Sequence, residues 1–107
     1  MRKNLKIVNL TPHPVNVYGD MELAPKFSLP PCDRPARVTY AETFLGQCIK
    51  RKTIVGVENF PEPKDGTVYV VSNPFRLHFP DRTDFVSPCA EVRKNGITVG
   101  CKWLQSN

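Results

Sequence analysis

Pro61-Glu62-Pro63-Lys64-Asp65-Gly66-Thr67-Val68-Tyr69-Val70-Val71 is the stretch on which the fold turns. Two prolines and an Asp-Gly pair form a loop with a tight turn at its end. The run Thr67 to Val71 that follows is β-branched and aromatic, with almost no polar interruption. Such a run marks a central strand buried on both faces. Immediately after it, Ser72-Asn73-Pro74 supplies a helix cap and a proline at a first helical position. A short helix through Leu77 or His78 is therefore expected, ended by Pro80.

Towards the C-terminus, Glu91 to Gly100 reads as a hairpin with Asn95-Gly96 at a two-residue turn, both residues at positive φ. Cys101-Lys102-Trp103-Leu104 prolongs its second strand. Towards the N-terminus, Lys6 to Leu10 and Val15 to Tyr18 are strand-like and read as a hairpin broken by Thr11-Pro12-His13-Pro14. Met21 to Pro35 is expected to be irregular, anchored by Leu23, Phe27 and Leu29. Ala36 to Tyr40, Gln47 to Ile49 and Thr53 to Glu58 read as three more strands, with Lys50-Arg51-Lys52 at the turn between the last two. The chain has 107 residues and eleven prolines, and an interior proline costs a helix about 3 kcal/mol. These features predict a single, mainly β domain over residues 1–107. It is a small antiparallel barrel or two-layer sandwich of about seven short strands with at most one short helix.

Composition narrows the setting. No apolar run approaches the roughly 18 residues of a membrane span, and Met1 to Lys6 is basic without the apolar core of a signal peptide. The expectation is a soluble, cytoplasmic protein. Cys32, Cys48, Cys89 and Cys101 lack the close pairing of a zinc knuckle, so free thiols, no metal and no cofactor are expected. The net charge of +5 suits a polyanionic partner without requiring one.

Several phrases occur together in one order: Asn9-Leu10-Thr11-Pro12-His13-Pro14-Val15, Pro35-Ala36-Arg37-Val38, Pro61 to Ser72, Asp81-Arg82-Thr83-Asp84, Ser87-Pro88, and Val92 to Gly100. As a set, covering about half the chain, they resemble a family of short, mostly uncharacterised proteins of tailed bacteriophages and prophages. The chain departs from that pattern at Asn73 to Phe79, where such relatives tend to carry small, helix-friendly residues. The resemblance implies a phage accessory protein acting in bacterial cytoplasm; it implies no mechanism.

Four residues are candidates for ligand contact. His13 lies between two prolines in a stiff turn, placed for ligand contact or proton transfer; alternatively its ring bonds a carbonyl and shapes the turn. Arg37 follows Pro35 on a strand. Arg82 and Asp84 sit in a polar loop braced by Pro80, where the guanidinium either grips an anion or pairs with a neighbouring aspartate. Lys50, Arg51 and Lys52 with Arg37, Arg93 and Lys94 are available for a nucleic-acid surface, with Tyr40, Phe44 and Trp103 for base stacking; as hairpin charges they equally serve as solvated tips. The chain has no glycine-rich phosphate loop, H-E-x-x-H or G-x-S-x-G.

The leading expectation is a non-enzymatic binder that inhibits a host defence factor or sequesters a small anion such as a signalling nucleotide. Its site is most easily built between subunits of a homo-oligomer. A single-stranded DNA- or RNA-binding barrel is the alternative, and a small hydrolase with His13 as base is third.

Overall fold

The computed structural model describes residues 5–20 and 24–107. Eight strands and one helix follow in chain order: β1 (Lys6–Asn9), β2 (Val15–Val17), β3 (Phe27–Leu29), β4 (Arg37–Phe44), β5 (Lys50–Glu58), β6 (Thr67–Val70), α1 (Asn73–His78), β7 (Phe85–Lys94) and β8 (Ile97–Ser106). The protein is mainly β, as expected, with a nearly closed, barrel-like six-stranded sheet and a separate two-stranded one. The larger sheet runs β1-β6-β7-β8-β2-β3, and among the described residues β4 pairs only with β5.

The strand at the centre of the sequence is at the centre of the packing. Val70 and the adjoining Val71 are fully buried on opposite faces. Val70 joins Val15, Val17, Val86 and Cys101, while Tyr69 and Val71 join Ala36, Phe75 and Phe85. Both faces are thus covered at the C-terminal end of β6, while Thr67 and Val68 are half-buried; this accounts for the almost unbroken apolar run. Helix α1 covers the second face. Ser72 caps it by accepting from Phe75 N, Pro74 stands in its first turn, and Phe75 drives its apolar side into the core.

Strand pairing is mixed. β1 and β7 both run parallel to β6, and β2 runs parallel to β8 where Val17 meets Cys101. A parallel neighbour needs a crossover, and α1 provides it between β6 and β7. The antiparallel β7–β8 hairpin turns at Asn95-Gly96, with φ of 53° and 79°. Both central residues are left-handed, as the two-residue primed turn demands. Pro88 lies within β7, past the last pairing with β6 at Val86, where its missing N–H removes nothing from the ladder.

Four expectations are corrected. β1 and β2 do not form a hairpin: β1 pairs with β6, and β2 lies between β3 and β8. Thr11-Pro12-His13-Pro14 does not reverse the chain into a ladder; it carries it across the open end of the sheet. Lys50-Arg51-Lys52 is not a turn either. These residues belong to β5, opposite Phe44, Thr43 and Glu42 respectively. The reversal falls earlier, with Gly46 at φ 93° and Leu45 N donating to Ile49 O. Gln47 to Ile49 is consequently connection, not strand, and Glu42, opposite Lys52 and diagonal to Lys50, pairs with both lysines and helps the strand tolerate the basic triplet. The segment expected to be irregular contains β3, whose Leu29 packs on the core while Phe27 is exposed. Leu23, the third expected anchor, lies outside the described residues.

The β4–β5 ribbon projects from the body. The radius of gyration is 16.2 Å, against about 13 Å for a compact chain of this length, and the longest extent is 52 Å. Among the described residues no helix is long and apolar enough to cross a membrane.

Candidate functional site

Asn9 organises the site. It ends β1 almost buried, and its carboxamide satisfies the chain on three sides. Nδ2 donates to His13 O at 2.8 Å and to Pro30 O at 2.8 Å. Oδ1 accepts from Thr11 N at 3.0 Å and from the Thr11 hydroxyl at 2.7 Å. This is an Asx turn, the local bonding that asparagine offers in place of strand pairing. The same side chain ties the end of β1 to the chain just after β3, bridging the gap that leaves the sheet incompletely closed. Cys32 N to Thr11 O and Ala36 N to Leu10 O, each 2.9 Å, secure the next segment beside it.

The tied loop forms one wall of a groove of about 610 Å³. Thr11 to Val15 lie on that side, Val71, Ser72, Pro74 and Phe75 form the floor, and Pro35 to Val38 with Tyr40 form the opposite wall. The lining is mostly apolar, with few polar side chains: His13, Arg37, Tyr40, Ser72 and Thr11. Five prolines, at 12, 14, 35, 74 and 88, border it, so its shape is largely fixed before anything binds. A second depression of about 550 Å³, lined by Tyr18, Thr98 and Gly100 among others, shares His13, Pro14, Val15 and Pro88. His13 therefore stands on the ridge between the two.

Of the four candidates, His13 and Arg37 converge on this groove. His13 shapes its turn through its backbone carbonyl, which accepts from Asn9; its ring is exposed at the groove rim. Arg82 and Asp84 lie elsewhere and hold each other. Arg82 Nε and Nη2 donate to the two Asp84 carboxylate oxygens, each at 2.7 Å, and Nη1 donates to Pro61 O at 3.0 Å. The guanidinium lies 4.2 Å from the Phe85 ring centre and 5.2 Å from that of Phe60. The hydrogen bonds to Arg82 hold the Asp84 carboxyl below the ordinary carboxylate value, and Asp84 correspondingly raises Arg82. This pair locks the 81–84 loop onto an aromatic cluster of Phe60, Phe75, Phe79 and Phe85.

Two contributors have a role not assigned from the sequence: Tyr40, available there only for base stacking, and Asn9. Tyr40 reaches across from the ribbon, its hydroxyl 2.9 Å from His78 Nε2, and so braces the groove wall against α1. Asn9 was legible in principle: an asparagine two residues before a threonine, at the end of an apolar strand, signals a side chain that bonds the following turn.

The ribbon carries the basic triplet. Lys50 Nζ lies 3.3 Å from Glu42, and Lys52 Nζ 3.9 Å from the same carboxylate. Lys50 also lies 5.6 Å from the Phe44 ring centre, and Lys52 5.7 Å from that of Tyr40. The four cysteines are free, Cys48 exposed and Cys101 buried. The chain matches no protein-family profile, no curated protein and no solved structure.

Proposed function

We propose that the protein is a binder that captures a small amphipathic anion, of the nucleotide class, in the groove between the Thr11–Pro14 loop and the base of β4. The observation that carries this reading is the lining itself: an apolar, proline-bordered trough with His13 on one wall and Arg37 on the other. Apolar walls suit a planar base, while a guanidinium and an imidazole suit a phosphate or carboxylate. The likeness to phage accessory proteins supports the same reading, because removing a small host signal needs tight binding and no turnover. Inhibition of a host protein is the broader form of the role.

Isothermal titration against cyclic and linear nucleotides tests the proposal. A saturable heat is expected, and Arg37→Ala should weaken binding by about 1.5–3 kcal/mol, the scale of hydrogen bonds to a charged group. Replacing Lys50, Arg51 and Lys52 together should leave affinity for these ligands nearly unchanged, since they line another surface. Absence of heat with every nucleotide, or loss of binding only when the triplet is replaced, would overturn it.

A further inference from the structure

We propose that the ligand of the groove is two-lobed: two nucleosides joined through phosphate, one base in the groove and the other in the depression on the far side of His13. This rests on the reading of the groove as a nucleotide site and extends it. The two hollows, of about 610 and 550 Å³, share His13, Pro14, Val15 and Pro88, so they meet along one edge. Each falls by itself within the roughly 300–1,000 Å³ of small-molecule sites. A mononucleotide in the groove leaves the second hollow to water.

The ridge between them is fixed. The His13 carbonyl accepts from Asn9 Nδ2 at 2.8 Å and from the Thr11 hydroxyl at 3.1 Å, and a proline stands on either side. The exposed imidazole is thus mounted on stiff backbone at the shared edge, where a phosphate joining two nucleosides must pass.

The second hollow selects its occupant. Arg37 lines the groove alone, and among the described residues lining the second hollow only His13 can carry positive charge. Asn16 Nδ2 is committed to Val99 O at 3.0 Å, and the Thr98 hydroxyl to Glu91. Val15, Val99, Tyr18 and Pro88 remain, a wall suited to an uncharged ring and poorly suited to further phosphates. A second base therefore belongs there, not a polyphosphate tail. Past Thr98 and Gly100 a third hollow opens with Glu91 in its lining, and that carboxylate opposes another phosphate. Two nucleosides span the tract that an anion can use.

Isothermal titration of the full chain with AMP, ATP and the dinucleoside monophosphate ApA tests the proposal. ApA should bind one to one and at least about tenfold tighter than AMP, the gain from one further stacked base. Charge cannot supply that gain, because the ApA diester carries one charge and the AMP monoester nearly two. ATP should not match ApA. Thr98→Trp, which fills the second hollow from an exposed strand position, should bring ApA down to the affinity of AMP. The wild-type ratio needs no variant, so a misfolded Thr98→Trp protein does not shield the proposal. Equal affinity for AMP and ApA, tighter binding of ATP than of ApA, or a gain that survives Thr98→Trp would overturn the two-lobed ligand and leave nucleotide capture standing. So would a hexa-adenylate that binds a further tenfold tighter than ApA, which would assign the tract to a nucleic-acid strand. No heat with any of these ligands would overturn both readings.

Discussion

Asn9 Nδ2 bonds the carbonyl of His13 and the carbonyl of Pro30, each at 2.8 Å, so one carboxamide joins a groove wall to the seam of the sheet. Asn9→Ala removes both donors and leaves two carbonyls and the Thr11 amide to find other partners. A loss of about 2–3 kcal/mol in urea denaturation is expected, the scale for unsatisfied half-buried groups. Asn9→Asp keeps the acceptor for Thr11 but sets a nearly buried carboxylate oxygen against the His13 and Pro30 carbonyl oxygens, so it should cost at least as much as alanine. An alanine variant as stable as wild type would show that the seam closes without this side chain.

Arg82 and Asp84 contribute to stability in a pH-dependent way. Because hydrogen bonding to Arg82 depresses the native Asp84 pKa, the unfolded chain binds that proton more readily than the folded one. The pair's contribution is fully present above the ordinary carboxylate value of about 3.9 and is lost as pH falls through the lower native value. Arg82→Ala should therefore cost about 2 kcal/mol at neutral pH, with a gap to wild type that narrows in strong acid. Urea titrations at pH 7 and at successively lower pH measure this directly. A gap that stays constant would assign the cost to lost packing on Phe85 and Phe60 instead.

Gly100 faces Val92 across the hairpin and is crowded from the side by β2. A Cβ there would lie 2.5 Å from the Asn16 carbonyl oxygen and 2.7 Å from the Tyr18 ring. Backbone on one side and a buried ring on the other leave little room to yield, so Gly100→Ala should destabilise by about 1–3 kcal/mol. At Gly96 a Cβ meets open space but φ is 79°, so Gly96→Ala costs only the strain of a left-handed turn, about 1 kcal/mol. Thermal melts of the two variants should rank them in that order.

The thiols should react in the order of their exposure. Cys48 is exposed, Cys32 and Cys89 are half-buried, and Cys101 is buried. Burial also pushes the Cys101 thiol up, reducing its thiolate at neutral pH. A disulfide-exchange reagent added to native protein should modify Cys48 first and Cys101 only on a timescale that denaturant shortens. Early modification of Cys101, located by peptide mass mapping, would contradict its burial in the core with Val15 and Val17.

What the sequence disclosed depended on how far apart the cooperating residues lie. The Thr67–Val71 run, the Ser72 cap and the Asn95-Gly96 turn are each settled within a few residues, and each was legible. The pairing of Lys6 with Thr67 joins segments far apart in the chain, and no local pattern announces it; proximity in sequence pointed instead to a β1–β2 hairpin. The charge of the triplet at 50–52 suggests a turn, but Glu42 on the facing strand pairs with Lys50 and Lys52 within the ladder. At the groove, prolines beside His13 and before Arg37 were readable as rigid mounts. Their convergence, and the departure of Arg82 and Asp84 into a pair of their own, came only with the tertiary arrangement.

The parallel pairing of β1 with β6 also orders events in time. Residues 37–58 contact one another locally and can zip into a ribbon as soon as they are free. The body cannot close until β6 has been made, because β1 has no other ladder to join. Long loops closed by non-local strand pairing slow folding, so during synthesis residues 37–58 emerge before the β6 partner that β1 requires. A chain emerging from the ribosome in this order is exposed to association with its neighbours while its own core is still unmade.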